Sequence, residues 1–244
     1  MDKKCKYIDI HTHILPGVDD GSPNMEETVR MLKQAYEQDI RTIIATPHFI
    51  AGKNNMPVEQ LRIIRDRVQE EAYKLDSEFE ILLGNELYYS DSVIAELQAG
   101  RALTLAGSSY VLVEFNIGVS YDKLIKAIGE LYRAGYIPVL AHAERYLCLY
   151  HKEYMYSSLV DSGCYIQMNA DSLKGGIFNS DAAFNLKMVK RQLVHFIGSD
   201  CHDADRRKPA IMTAVKALGK KCDEELINRI CIDNPAKVTV NSYI

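Results

Sequence analysis

Short apolar runs rich in β-branched residues alternate along this chain with longer segments in which apolar positions recur every three or four residues. The extended runs fall at 7–10, 42–46, 79–83, 110–114, 137–141, 164–169 and 194–198. The helical period between them predicts helices over 26–38, 58–75, 91–98, 121–134, 153–162 and 182–192, with two more at 209–218 and 223–232. Terminal signals agree with this division. Ser22-Pro23-Asn24 precedes the first helix, and Glu26 and Glu27 occupy its opening turn, where carboxylates meet the positive end of the macrodipole. Gly135 and Gly163 stand just past helix ends, where a left-handed cap suits glycine. Strand and helix alternating without a break in composition imply a parallel sheet covered by helices. Seven such units are one short of the standard eight-stranded barrel, so the expectation is a single α/β domain over 1–244, a distorted seven-stranded TIM-like barrel. A doubly wound open sheet is the runner-up, but no Gly-rich phosphate loop follows the first run.

The polar residues with metal-binding chemistry sit at or just beyond the ends of these runs. Ile8-Asp9-Ile10-His11-Thr12-His13 puts two imidazoles on one face of an extended segment, and a divalent transition metal is the partner that suits such a pair. Asp20, His48, Glu86, Glu114, His142, Asp200 and His202 follow at widely separated points. That placement matches the rim where parallel barrels carry their active sites. The mixed nitrogen and oxygen donors suit manganese, iron or zinc better than a soft metal or an all-oxygen magnesium site. They also outnumber the needs of one ion, which points to a cluster of two or three with a shared carboxylate such as Glu86. Clustered ions lower the pKa of a bound water and clamp the oxygens of an in-line displacement, so phosphate ester hydrolysis is the leading reaction. Its transition state also wants cationic donors, and Arg145 and either Arg206 or Arg207 are placed to supply them. Rim ion pairing is the structural alternative for these arginines.

Composition narrows the class further. A chain of 244 residues with 47% hydrophobic and 25% charged residues is an ordinary globular protein able to bury a large core. The net charge of −4 gives no electrostatic footprint for nucleic acid. No apolar stretch approaches the roughly 18–20 residues that span a bilayer. The charged start of the chain leads into alternating residues instead of a signal-peptide core, so the reading is a cytoplasmic protein without membrane insertion. Cys5, Cys148, Cys164, Cys201, Cys222 and Cys231 show no Cys-x-x-Cys spacing and read as small buried or bystander residues. With 15 Tyr and no Trp, Tyr88, Tyr89 and Tyr146 could line the entrance of the site or pack at its rim.

Taken together, Asp9-Ile10-His11-Thr12-His13, Val18-Asp19-Asp20-Gly21, Thr46-Pro47-His48, Gly84-Asn85-Glu86-Leu87-Tyr88-Tyr89, Ala141-His142-Ala143-Glu144-Arg145-Tyr146, Ser199-Asp200-Cys201-His202 and Asp233-Asn234-Pro235 resemble the polymerase and histidinol phosphatase (PHP) superfamily. The branch they are most similar to is the bacterial capsular-polysaccharide type of metal-dependent protein-tyrosine phosphatase. The resemblance runs in order over essentially the whole chain. It implies three divalent ions, commonly manganese: one held by His11, His13, Glu86 and Asp200, a second by Glu86, Glu114 and His142, a third by Asp20, His48 and His202. It also implies substrate-orienting roles for Arg145 and Arg207, with Arg206 as a substitute because the register there is open. The implied substrate is a phosphotyrosine protein, a cognate bacterial tyrosine kinase with a tyrosine-rich tail that acts in capsular or exopolysaccharide synthesis.

Competing readings are weaker. Cys201 and Arg207 match the Cys-x5-Arg core of cysteine-dependent tyrosine phosphatases, but the intervening Asp203 and Asp205, with Asp200 before, would repel a phosphate dianion and raise the thiol pKa. A histidinol-phosphate-type phosphatase would use the same metals; the segment 142–146 leans toward the tyrosine-phosphatase branch. A metal-dependent amidohydrolase would bridge its ions with a modified lysine where this chain offers Glu86 and Glu114. A non-enzymatic metal-stabilised domain would have lost ligands, and none is missing here.

Overall fold

The computed structural model describes residues 6–175 and 179–244; Cys5 lies outside the described residues. The strands are β1 (Tyr7–Thr12), β2 (Ile40–Ala45), β3 (His48–Ile50), β4 (Glu80–Leu83), β5 (Glu86–Tyr88), β6 (Tyr110–Glu114), β7 (Ile137–Leu140), β8 (Tyr165–Asn169) and β9 (Phe196–Gly198). All their pairings are parallel, in one sheet of order β1-β2-β4 and another of order β3-β5-β6-β7-β8-β9. This is the α/β fold of parallel sheets expected from the alternating pattern. Among the described residues a single isolated parallel bridge, Thr12 with Cys201, joins the end of β1 to the turn after β9. It is reinforced where Asp200 N–H donates to His11 O (2.8 Å) and His13 N–H to Cys201 O (2.8 Å).

Two of the predicted runs continue, after a break, into short second strands that the pattern did not predict. The breaks coincide: β2 ends before Thr46-Pro47 and β4 before Gly84-Asn85, and the continuations β3 and β5 pair with each other. Pro47 has no N–H to offer a ladder. The Asn85 side chain fills the gap, donating to Pro47 O (2.9 Å) and accepting from Leu103 N–H (2.8 Å). Both breaks therefore turn the chain at the level where His48 and Glu86 begin the new strands.

The core explains why parallel strands read as nearly continuous apolar runs. Along β6, Tyr110 and Leu112 enter one buried cluster while Val111 and Val113 enter another, and Phe196 and Ile197 of β9 divide in the same way. Both faces of the sheet are thus covered. The larger cluster takes in the helices, among them Met25–Glu37, whose cap Asn24 accepts from Glu27 N–H (3.0 Å), and Tyr121–Arg133. The smaller is closed at the N-terminal ends of the strands by Leu105 and Val238, where Tyr110 hydroxyl donates to Ser242 O (2.9 Å) and Ser109 N–H to Asn241 Oδ1 (2.8 Å). The helix at Asn234–Thr239 that delivers Val238 was not predicted. It follows a π-helical turn at Arg229–Asp233, and its signal was Pro235 in the first turn, a position proline favours. With that end of the strands packed, the opposite ends are left for the polar residues.

Candidate metal centre

His11 and His13 share a face at the end of β1, with their Nε2 atoms 3.4 Å apart. The loop after them folds back so closely that a Cβ on Gly21 would lie 2.2 Å from His13 O, which makes glycine obligatory there. That return brings Asp19 to His13 and Asp20 to the rim. Three hydrogen bonds then fix how the imidazoles present themselves. His11 Nδ1 faces Gln167 Oε1 (3.0 Å), His13 Nδ1 faces Asp19 Oδ2 (2.7 Å) and His202 Nδ1 faces Asp200 O (3.0 Å). Each partner is an acceptor, so each Nδ1 carries a hydrogen and each Nε2 is the nitrogen left to face the centre.

The inward-facing imidazole nitrogens, with those of His48 and His142, converge on carboxylates. Glu86 Oε2 lies 3.2 Å from His11 Nε2, 3.2 Å from His13 Nε2 and 3.1 Å from His48 Nδ1, while Oε1 lies 2.9 Å from His142 Nε2. Asp200 Oδ1 stands 3.5 Å from both His11 and His13 Nε2. Three groups of donor atoms, each within 4.8 Å of one another, are formed by His11, His13, Glu86 and Asp200; by His13, Asp20, His48 and His202; and by His48, Glu86 and Glu114. The first is the set that the resemblance implies. The second adds His13 to the implied Asp20, His48 and His202. In the third, His48 stands where His142 was implied, because its ring faces Glu86 through Nδ1 and Asp20 through Nε2 (3.5 Å). His142 nevertheless reaches the same carboxylates, with Nε2 3.4 Å from Glu114 Oε1.

The donor chemistry fits divalent ions. Glu86 Oε2 and His202 Nε2 are buried without a hydrogen-bond partner, a cost that a bound cation removes. Burial works against charge here; at His202 it prevails, with the His13 and Arg207 charges, and lowers the imidazole to about 4, whereas at His142, His13 and Glu86 the surrounding opposite charges win. The carboxylates of Glu114 and Glu86 lift His142 to about 10, Asp19, Asp200 and Glu86 hold His13 well above the imidazole range, and His11 leads the groups that hold Glu86 well below the carboxylate range. His142 (φ 33°) and Asp200 (φ 53°) both adopt the left-handed region that non-glycine residues avoid, and such strain gathers at functional sites.

The arginines separate cleanly. Arg145 Nη1 lies 3.3 Å and Arg207 Nη2 2.7 Å from Asp200 Oδ2, and both side chains remain about two-fifths exposed (42% and 41%). Arg206 is exposed, and its described contact is the backbone N–H donating to Asp203. Of the two, it is Arg207 whose guanidinium reaches the carboxylate cluster. In the Cys201–Arg207 segment, the backbone N–H groups of Asp205, Arg206 and Arg207 all point at the Asp203 carboxylate, so the cradle a phosphate would need is already filled. Cys201 is buried, and burial together with the nearby Asp9 and Asp200 charges pushes its thiol far up. Tyr146 is also buried, with its hydroxyl accepting from Phe115 N–H (3.1 Å); it supports the site from beneath instead of lining an entrance. Tyr88 and Tyr89 are half-buried at the rim.

Sequence reasoning missed the residues that hold the ligands. Gln167 Oε1 accepts from both His11 Nδ1–H and His142 N–H (2.7 Å), while its Nε2 donates to Asn169 Oδ1 (2.9 Å), and Asn169 in turn donates to Asp200 Oδ2 (2.9 Å). One amide thus orients two proposed ligands directly and a third through its neighbour. The available signal was alternation: Gln167 and Asn169 are polar at every second position of a strand whose Ile166 and Met168 are core. Replacing Gln167 with Met, which keeps the volume and loses the acceptor, is expected to weaken metal binding about 10–100-fold. Titration of metal into the metal-free variant measures this, and wild-type affinity in a folded variant would remove Gln167 from that role.

Comparison with known proteins agrees with this geometry. The capsular polysaccharide synthesis CpsB/CapC family model matches residues 7–240. The tyrosine-protein phosphatase CpsB of Streptococcus pneumoniae is 33% identical over 242 residues, covering 97% of this chain and 100% of that protein. The tyrosine-protein phosphatase YwqE of Bacillus subtilis is 33% identical over 219 residues, covering 90% of this chain and 86% of that protein. A crystal structure from work on YwqE and CpsB, described as metal-dependent tyrosine phosphatases, superposes with a TM-score of 0.88 at 32% identity, covering 97% of this chain and 96% of the other. The chain belongs to the CpsB/CapC family.

Proposed function

We propose that this chain is a metal-dependent protein-tyrosine phosphatase, a phosphoric monoester hydrolase whose centre holds three divalent ions, manganese first with iron or zinc as alternatives. The observation that carries the reading is the set of imidazole nitrogens gathered on Glu86 with two arginines at the edge of the same carboxylate cluster. The relatives named as tyrosine phosphatases supply the substrate class. His11, His13, Glu86 and Asp200 would hold one ion, Glu86, Glu114 and His142 a second, and Asp20, His48 and His202 a third, with His13 in reach of the last. When bound, such ions supply Lewis acidity and a water that loses its proton near neutral pH. Asp200 holds the two guanidinium groups at the margin, where Arg145 and Arg207 can receive phosphoryl oxygens. The buried Cys201 contributes no nucleophile.

We read the architecture as one domain with seven strand positions, β2 with β3 and β4 with β5 each counting once, and closure between β9 and β1. The substrate would be a phosphotyrosine protein in the cytoplasm, a tyrosine kinase of polysaccharide synthesis presenting a tyrosine-rich tail. Among the described residues no helix is long and apolar enough to cross a membrane. Phosphate release from a tyrosine-phosphorylated peptide and from histidinol phosphate, each with and without chelator, tests the reading. The peptide is expected to be the better substrate, with turnover stopped by chelation and restored by manganese. Preference for histidinol phosphate would reassign the substrate, and chelator-resistant turnover would remove the metal.

A further inference from the structure

A cleft of about 670 Å³ opens across the C-terminal ends of β5 and β6, lined among others by Tyr88, Tyr89, Phe115, Asn116 and Lys123. It adjoins the metal centre through the chain itself. Tyr88 is two residues beyond Glu86 on the same face of β5 and is paired in register with Glu114, and Phe115 follows Glu114 directly. The floor is aromatic and held in place: Phe115 and Tyr89 stack at 5.1 Å, and Tyr89 hydroxyl donates to Glu130 Oε2 (2.5 Å). Glu130 is also 3.7 Å from Lys126 Nζ, whereas Lys123 has no ion-pair partner among the described residues.

A second observation concerns the rim. Large apolar side chains stand exposed two or three residues after several residues of the centre: Ile50 (40%) after His48, Ile117 (53%) after Glu114 and Leu147 (66%) after Arg145. Leu147 N–H donates to Ile117 O (3.1 Å), so two of these loops are joined, and Ile117 lies between Asn116 and Gly118 of the cleft. Isolated exposed apolar residues are ordinary; their recurrence around a polar centre marks a surface to be covered. A small phosphate ester has too little surface to cover them, and an extended polypeptide does not.

Resting on the phosphatase reading above, we infer that this cleft and its apolar rim bind the residues flanking the phosphotyrosine. The cleft takes an extended segment with an aromatic or apolar side chain over Tyr88 and Phe115 and a carboxylate against Lys123. The site thereby selects a peptide over a free aryl phosphate. Steady-state kinetics on a phosphotyrosine peptide with acidic and aromatic neighbours, set beside p-nitrophenyl phosphate, test it in Tyr88→Ser, Ile117→Ser and Lys123→Glu. Loss of a central contact is expected to raise KM for the peptide about tenfold while kcat and KM for p-nitrophenyl phosphate stay within about twofold. Unchanged peptide KM in all three, or equal losses on both substrates in the exposed Ile117→Ser variant, overturns the inference. So does a change of oligomeric state without a change in KM, which would give the surface to a second copy of the chain. A wild-type protein inert toward both substrates would instead sink the phosphatase reading and this inference with it.

Discussion

Glu86→Gln is expected to lose bound metal and more than about 100-fold of its turnover, since even an outer partner of a metal ligand is worth about 10–100-fold. The substitution keeps the side-chain volume and removes only the charge. Glu86 is chosen because its two oxygens lie within 3.2 Å of nitrogens from His11, His13, His48 and His142, so it belongs to more than one of the proposed ion sites. Metal content of the dialysed protein, measured beside phosphate release from a phosphotyrosine peptide, decides the matter. Full metal with full turnover would take Glu86 out of the centre. Cys201→Ser belongs in the same series and is expected to keep most activity, because the buried thiol faces no open cradle. A dead serine variant with its metals in place would restore the cysteine mechanism.

The second large effect is a loss of rate without loss of metal. Arg145→Ala and Arg207→Ala are each expected to lower kcat about 10²–10³-fold, the usual cost of one donor to developing transition-state charge. Truncating Arg207 leaves the loop intact, since His202 N–H donates to Arg207 O (2.7 Å) and Arg207 N–H to Asp203, both through the backbone. Asp200 Oδ2 also keeps its hydrogen bond from Asn169. Lysine should rescue poorly because it lacks the planar fork that matches a phosphoryl group. The exposed Arg206→Ala is the control, expected to behave as wild type. Equal losses at 206 and 207, or loss of metal at 145 or 207, would give these arginines a structural role.

The sequence made the parallel α/β plan legible because each strand buries both faces and so reads as a short apolar run. It made the proposed ligands legible because they interrupt those runs at one end. Less visible were the continuations β3 and β5, three residues each, whose polar first members His48 and Glu86 carry no strand pattern of their own. The sequence leaves Tyr146 between an entrance role and a packing role because an aromatic beside Arg145 can point either way, and only the packing of Phe115 decides it. Gln167 was passed over for a different reason. Amides are poor metal ligands, and its importance lies in three hydrogen bonds to partners 2 to 156 residues away. Contacts of that kind leave no local periodicity to read.

The raised imidazoles have a consequence for how this centre is filled. A free histidine sheds its proton near 6.5, but in the metal-free fold His142 keeps its proton up to about 10 and His13 is shifted in the same direction. Since these folded values lie above the unfolded one, the protons stabilise the empty fold fully below about 6.5, and that support fades as pH climbs through about 10. At neutral pH these two imidazoles therefore carry protons opposite Asp19, Glu86, Glu114 and Asp200, while burial keeps His202 below the usual imidazole range. Loading is an exchange in which arriving cations evict those protons, so uptake strengthens with alkalinity across that window and releases acid as it proceeds. Protons thus hold the places that cations would take, and the ambient pH sets how readily they yield them.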